Sequence, residues 1–328
     1  MLLDPFNRRL NYLRLSLTDR CNLRCLYCMP EDGVPKLAHE EILSYEELLR
    51  LARLSVGLGI EKIRLTGGEP LTRKGVIPFI KELAALPGIK DISLTTNGVL
   101  LADQARAIWE AGIHRINISL DSLDPAVYFR ITRHDVFHQV WEGIQVAEAI
   151  GFHPIKINVV ALKGINEEEI PSFGRLSLER PYHIRFIEFM PVGPSVGCQS
   201  DRFLPGDQIL ARLQARGQLR PINGHSLDGP ARRWAYTGAR GEVGLISPIS
   251  DHFCPNCNRL RLTSDGKLRT CIFSDQETDL RRPMRQGTSD DELEMIIRGA
   301  IASKPKEHLL QSQATPQRCQ RQMSKIGG

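Results

Sequence analysis

The chain has 328 residues, of which 41% are hydrophobic and 25% charged; this suits a globular protein with one large barrel-type domain, or a barrel and a smaller module. No apolar run approaches the length of a membrane span, and the N-terminal segment lacks the apolar core of a signal peptide, so we expect a cytoplasmic protein. The net charge of +5 is compatible with an anionic partner, but aromatic residues make up only 6% and no basic–aromatic stripe favours stacking on nucleic-acid bases.

Strand-like and helix-like segments alternate from residue 10 to residue 190. The predicted strands cover residues 12–18, 62–67, 91–97, 115–120, 155–160 and 183–190. The first predicted helix begins at Ser44, which forms a capping box with Glu47, and further helices are expected at about 75–86, 100–111, 137–150 and 167–178. Six βα repeats imply a parallel sheet with right-handed crossovers, either closed partly into a TIM-type barrel or left open as a doubly wound sheet.

The pattern changes after residue 190, where a loop rich in glycine and proline begins. A helix is predicted at 206–216, short strands and turns follow over 218–275, and the tail from about residue 302 is polar. We therefore expect residues 1–190 to form a partial (β/α)6 barrel and residues 191–328 to form a small C-terminal module.

Five of the six strands have one polar and one apolar face. In the second strand, Lys62 and Arg64 alternate with Ile63 and Leu65. If the apolar faces meet the helices, the polar faces line the lumen, where buried cations need anionic partners. The sequence thus predicts a cavity for a negatively charged ligand, with lumen-facing cations at Arg14, Lys62, Arg64 and Lys156. The alternative is an antiparallel, half-exposed sheet whose polar face lies in water.

Six of the eight cysteines fall into two groups of three, and the first group directly follows the first strand. In parallel βα folds, ligands bind at the carboxyl ends of the strands. Cys21, Cys25 and Cys28 could hold three irons of a [4Fe–4S] cluster and leave the fourth iron open, whereas a zinc knuckle is the alternative. The isolated Cys198 and Cys319 are expected to be ordinary thiols.

The second group consists of Cys254, Cys257 and Cys271. Three thiolates again fit a cluster with one open iron. A zinc site would need a fourth ligand, for which His252 and Cys198 are the candidates.

A TGGEP turn at residues 66–70 follows the second strand. Its two glycines allow the backbone to approach a ligand closely, and Glu69 places a carboxylate where an ammonium group could be bound.

The first cysteine group and the Gly-Gly turn together resemble the radical S-adenosylmethionine (SAM) superfamily. The match becomes narrower along the chain, because several segments run in the same order as in the GTP 3′,8-cyclase family of molybdenum cofactor biosynthesis. These segments are TDRCNLRCLYCMPEDG, IRLTGGEPL, TTNG, NISLDSL, RFIEFMPVG, FCPNCNRLRLTSDGKLRTC and the terminal IGG. The resemblance extends from about residue 5 to residue 328.

The resemblance implies a site with two [4Fe–4S] clusters, SAM and GTP. The first cluster would be bound by Cys21, Cys25 and Cys28, and the second by Cys254, Cys257 and Cys271. SAM would be contacted by Tyr27, Gly68, Ser119 and Met190. GTP would be bound by Arg14, Lys62, Arg64, Thr95, Lys156, Arg185, Arg259 and Arg261. The terminal Gly327 and Gly328 match the family's closing glycines, and we expect them to insert toward the barrel mouth as accessory residues.

The resemblance also implies the reaction, which is that of a lyase. A 5′-deoxyadenosyl radical would abstract the C3′ hydrogen of GTP, and C3′ would then attack C8 to give (8S)-3′,8-cyclo-7,8-dihydroguanosine 5′-triphosphate. The implied partners are a reducing electron donor and the next enzyme of the pathway, cyclic pyranopterin monophosphate synthase. Neither a membrane nor nucleic acid is expected, and a homodimer is compatible with the pattern.

Two alternatives remain, one among enzymes and one from another functional class. One is a radical SAM peptide-modifying enzyme, which would carry a longer cysteine-rich C-terminal module than the three cysteines present here. The other is a zinc-containing nucleic-acid-binding protein, which the basic charge alone would allow.

Overall fold

Six parallel strands form the centre of the structure. The computed structural model describes residues 1–193, 200–223, 229–308 and 319–327. The six strands are β1 (Tyr12–Ser16), β2 (Lys62–Thr66), β3 (Asp91–Thr96), β4 (Ile116–Ser119), β5 (Ile155–Ala161) and β6 (Tyr182–Glu188). Each strand pairs with the next in parallel, so the prediction of a partial (β/α)6 barrel is confirmed and the antiparallel, half-exposed sheet is wrong.

Helices connect these strands and cover the apolar side of the sheet. They are α1 (Tyr45–Leu58), α2 (Val76–Ala84), α3 (Leu101–Glu110), α4 (Pro125–Thr132), α5 (Phe137–Ile150) and α6 (Ile170–Glu179). The predicted capping box is present. The Ser44 hydroxyl accepts a hydrogen bond from the Glu47 amide at 3.2 Å, and the Glu47 carboxylate accepts one from the Ser44 amide at 2.7 Å. Helix α4 was not predicted: it has only eight residues and begins at the N-cap Asp124.

The second part of the chain extends the same sheet at both edges. Its elements are α7 (Gly206–Gln214), β7 (Leu219–Ile222), β8 (Arg232–Tyr236), β9 (Glu242–Ile246), β10 (Arg259–Leu262), β11 (Lys267–Arg269), β12 (Thr278–Asp279), α8 (Arg281–Arg285), α9 (Asp290–Ala302) and α10 (Met323–Ile326). Strand β10 pairs in parallel with β1, and β9 pairs in parallel with β6. The predicted domain boundary at residue 190 stays a prediction, while the hydrogen bonding of the sheet continues across it.

The two faces of the strands lie as their alternation predicts. Ile63 and Leu65 are fully buried in the main hydrophobic core beneath the helices. Strand β6 ends at Glu188, two residues before Met190. Glu188 fixes this end, because its carboxylate accepts hydrogen bonds from the amides of Gly206 at 2.7 Å and Ile249 at 3.0 Å.

No helix among the described residues is long and apolar enough to cross a membrane.

Candidate active site

The strand register places polar side chains from neighbouring strands side by side. Arg14 of β1 is paired with Arg64 of β2 on one side and with Arg261 of β10 on the other. These side chains line a large cavity on the polar side of the sheet. The predicted site residues that line the same cavity are Arg14, Tyr27, Arg64, Gly68, Thr95, Ser119, Arg185, Met190, Arg259, Arg261 and all six cysteines of the two groups.

The cations of this cavity are buried close to one another. Burial, followed by the charges of Arg64 and Arg259, lowers the pKa of Arg14 to about 10, although the Tyr12 phenol opposes the shift. Burial and the neighbouring Arg14 also lower the pKa of Arg261 far below its usual range. Because these charges repel one another in a medium of low polarity, an anion among them would relieve the repulsion.

Lys156 is also strongly affected by burial and by the neighbouring cations. It is 5% exposed on β5, beside the lining residue Arg185. Burial, and then the charges of Arg185 and Arg115, lower the pKa of Lys156 to about 6. The ammonium form is therefore disfavoured until a negative charge is bound nearby.

The protein supplies a counterion for Lys62. Its ammonium lies 2.8 Å from the carboxylate of Asp91, which also contacts Arg115 at 3.1 Å. The sequence analysis did not single out Asp91, although it has the same strand parity as Ser93 on the polar face of β3. The role of Lys62 in binding GTP stays a prediction, and its need for an external anion is reduced.

The first cysteine group lies in the loop that follows β1 and is held against α4. The amides of Arg24 and Leu26 donate hydrogen bonds to the carbonyls of Thr132 and Ile131, at 3.0 and 2.9 Å. Burial raises the pKa of Cys21 to about 11. The pKa values of Cys25 and Cys28 are raised further by burial and by the neighbouring thiols. Three thiolates would be costly here without a cationic group, so the donor set fits an iron–sulfur cluster.

The second cysteine group faces the same cavity, with Cys254 and Cys257 before β10 and Cys271 after β11. Burial opposes ionisation of Cys257, but the charges of Lys304 and Arg259 outweigh it and lower the pKa of this thiol. The Lys304 ammonium lies 3.7 Å from Cys257 Sγ and donates to the carbonyl of Arg259 at 3.1 Å. This cation stabilises thiolate ligands, and no pattern in the sequence had marked Lys304.

The zinc alternative lacks a ligand set in the part of the chain that is described. Among those residues, no three His, Cys, Asp or Glu side chains are grouped so that they could hold a single metal ion. His252 lines the cavity, but its Nε2 lies 3.7 Å from Glu307. Cys198, the other candidate for a fourth zinc ligand, lies outside the described residues.

The residues predicted to contact SAM line the same cavity as the first cysteine group. The Tyr27 hydroxyl donates a hydrogen bond to the Asp121 carboxylate at 2.6 Å, and Asp121 accepts a second from the Val160 amide at 2.8 Å. Asp121, which sequence reasoning missed, belongs to the NISLDSL segment. A Cβ at Gly68 would clash with the backbone carbonyl of Arg20, so this glycine lets β2 approach the cysteine loop.

Glu69 holds the ends of two strands together. Its carboxylate accepts hydrogen bonds from the Leu71 amide at 3.0 Å, the Thr96 hydroxyl at 2.8 Å and the Asn97 amide at 2.6 Å. Burial raises its pKa to about 7, and these hydrogen bonds oppose the rise. Glu69 lines the cavity, so its predicted contact with an ammonium group stays a prediction beside this structural role.

The C-terminal tail returns to the barrel. The Gly327 carbonyl accepts a hydrogen bond from Arg261 at 2.7 Å, and Gly327 has a φ of 84°. A Cβ at this position would lie 2.6 Å from Thr66 Oγ1 and 3.1 Å from Ser16 Cβ, so a side chain would collide with the strand ends. Gly328 lies outside the described residues.

Comparison with known proteins gives two family matches and many full-length relatives. Residues 15–176 match the Radical SAM superfamily, and residues 182–310 match Molybdenum Cofactor Synthesis C. The chain is 49% identical over 325 residues to the GTP 3′,8-cyclase of Moorella thermoacetica, covering 99% of each chain. It is 47% identical over 327 residues to the GTP 3′,8-cyclase of Geobacter sulfurreducens, covering 100% of this chain and 99% of the relative.

A solved structure shows the same fold at low sequence identity. SuiB of Streptococcus suis superposes with a TM-score of 0.62 at 15% identity, covering 96% of this chain and 78% of SuiB. A SuiB structure with its precursor peptide SuiA gives a TM-score of 0.60 at 14% identity, covering 98% of this chain and 77% of SuiB. At this identity the likeness is one of fold alone.

Proposed function

This chain belongs to the GTP 3′,8-cyclase family, and from that membership we propose that it converts GTP to (8S)-3′,8-cyclo-7,8-dihydroguanosine 5′-triphosphate, the first step of molybdenum cofactor biosynthesis. The observation that carries the proposal is one cavity lined by two groups of three cysteines and by buried cations. Each cysteine group suits a cluster with an open iron, and the cations suit a triphosphate.

The cofactors are two [4Fe–4S] clusters and SAM. The first cluster would be held by Cys21, Cys25 and Cys28, and the second by Cys254, Cys257 and Cys271. When bound, the first cluster and SAM supply the 5′-deoxyadenosyl radical that removes the C3′ hydrogen of GTP. The chain's Tyr27, Gly68, Ser119 and Met190 would bind SAM beside the first cysteine group.

The cationic strand faces bind and orient the substrate. Arg14, Arg64 and Arg261 lie on three adjacent strands, so they can contact several phosphate oxygens of one triphosphate. The remaining residues proposed to bind GTP are Lys62, Thr95, Lys156, Arg185 and Arg259. Fixed charges that bind the triphosphate hold the ribose in position. Burial of the site keeps water away from a reactive radical.

The C-terminal tail lies beside this cavity, where Met323 and Ser324 form part of its lining. Gly327 lies against Ser16 and Thr66 and binds Arg261, one of the residues proposed to contact GTP. Gly327 and Gly328 would thereby act as accessory residues that order the site around the substrate. Their lack of side chains fits the narrow space between the strand ends.

The partners follow from the reaction. GTP is the substrate, a reductant must supply electrons to the first cluster, and the product would pass to cyclic pyranopterin monophosphate synthase. The seven described cysteines are free thiols, which suits a reducing compartment such as the cytoplasm.

The decisive experiment is an anaerobic incubation of the reconstituted protein with GTP, SAM and dithionite. We expect the cyclised triphosphate, identified by mass and by its dihydroguanine spectrum. ATP in place of GTP is the matched control and should give no cyclised product. Cleavage of SAM with GTP present but no cyclised nucleotide would contradict the proposal.

A further inference from the structure

A second, open groove meets the first cysteine loop at Leu26, the residue between Cys25 and Tyr27. The side chain of Leu26 packs with Ile131 and Leu162 in a small apolar cluster that is separate from the main core. Cys25 lines the internal cavity, whereas its neighbour Leu26 lines the groove. The groove is therefore lined by the residue next to Cys25, which is a proposed ligand of the first cluster.

The groove is also connected to the cysteine loop through hydrogen bonds. Arg133, at the C-terminal end of α4, lines the groove and donates to the carbonyls of Arg24 and Met29 at 2.8 and 3.2 Å. These two carbonyls flank Cys25 and Cys28 in the sequence. A partner seated on the groove would thus contact side chains that are bonded directly to the cysteine loop.

The groove carries excess positive charge. Its cations are Arg130, Arg133, Lys163 and Arg202, and its acids are Glu167 and Asp201. Glu167 is paired with Arg212 at 2.8 Å, so its charge is largely compensated. Phe129, which precedes Arg130 in the sequence, is 51% exposed on α4. Arginine and aromatic side chains are enriched in protein–protein interfaces.

We propose that this groove docks an acidic electron-carrying protein that reduces the first cluster. The inference rests on the proposed function, because that function requires the cluster and an external electron. One electron leaves the reduced carrier and enters the cluster, and no atom or proton is transferred. Electron-transfer encounters use small interfaces and depend on complementary charge, which matches a basic groove.

Binding is tested with the double variant Arg130→Glu/Lys163→Glu and an oxidised, acidic flavodoxin as the probe. The matched control is Arg53→Glu/Lys81→Glu, which makes the same change in net charge at exposed positions of α1 and α2. At about 50 mM salt we expect roughly tenfold weaker binding for the groove variant and less than about twofold for the control. At about 500 mM salt the two variants should converge. Equal weakening in both at low salt would overturn the proposal.

A second readout separates docking from damage to the cluster loop. With photoreduced flavodoxin, 5′-deoxyadenosine formation should fall about tenfold in the groove variant, whereas dithionite should give equal rates in all three proteins. Loss of iron or of dithionite-driven turnover in the groove variant would assign these residues to support of the loop and overturn the proposal. Failure of the proposed function is distinguishable, because the unsubstituted protein would then form no cyclised GTP with dithionite.

Discussion

We expect GTP binding to depend on pH because of Lys156. Replacing this lysine should remove the dependence. Burial and the charges of Arg185 and Arg115 set the pKa of this lysine at about 6 in the substrate-free protein. A bound triphosphate favours the ammonium form, so the pKa of Lys156 rises and a proton is taken up on binding. The contribution of Lys156 to affinity is therefore fully present below the substrate-free pKa of about 6, and it is lost progressively as the pH rises from there to the higher pKa of the bound state.

The size of the effect follows from the pKa of Lys156. With a value of about 6, roughly half of the lysine is charged at pH 6 and about 1% at pH 8, so GTP binding should weaken about 50-fold over that interval. Lys156→Met should bind GTP weakly at both pH values. Lys156→Arg keeps its charge and should retain affinity at pH 8.

Isothermal titration of GTP in buffers of different ionisation enthalpy measures both affinity and proton uptake. GTP itself and Tyr12 also titrate, and they contribute equally to the measurements on all three proteins. The pKa of Tyr12 is about 8 because the charges of Arg64 and other cations outweigh its burial. The comparison therefore isolates Lys156. The same pH dependence in the unsubstituted protein and in Lys156→Met would refute the reasoning.

Three further outcomes are expected. Replacing Cys254 by Ala should lower the iron content from roughly eight atoms per chain to about half, with SAM cleavage retained and cyclisation lost; full iron and full cyclisation would contradict the assignment of the second cluster. Arg64→Ala should weaken binding of GTP much more than binding of guanosine or SAM, while the exposed Arg53→Ala control changes none of them; equal losses for GTP and guanosine would show that Arg64 does not contact the triphosphate. Deleting Gly327 and Gly328 should leave iron content and uncoupled SAM cleavage intact and abolish cyclisation; a full-length rate in the truncated protein would make the tail dispensable.

Alternation along the strands was sufficient to predict the polar lumen. A parallel strand covered on both faces is apolar throughout, so alternating cations in strands separated by helices required a polar cavity. The register between β1 and β2 aligns Arg14 with Arg64 as that reasoning expects, whereas the pairing of β10 with β1, which aligns Arg261 with Arg14, was not predicted. The helix at α4 was missed because its eight residues contain too few turns for a clear apolar period.

Contacts between distant segments could not be predicted from local patterns. Asp91 neutralises Lys62 from the next strand, and Lys304 approaches Cys257 from a segment after α9. Neither contact produces a periodic or short-range signal in the sequence. The cysteine spacing identified the two ligand groups, whereas their meeting in one cavity required β10 to pair with β1.

The central claim is that this cavity brings the C3′ hydrogen of GTP to the radical derived from SAM. The most direct test uses GTP deuterated at C3′, with SAM and dithionite, under anaerobic conditions. The account predicts that the deuterium is recovered in 5′-deoxyadenosine and that the cyclised triphosphate forms in parallel. Deuterium retained in the nucleotide product, with unlabelled 5′-deoxyadenosine, would contradict it.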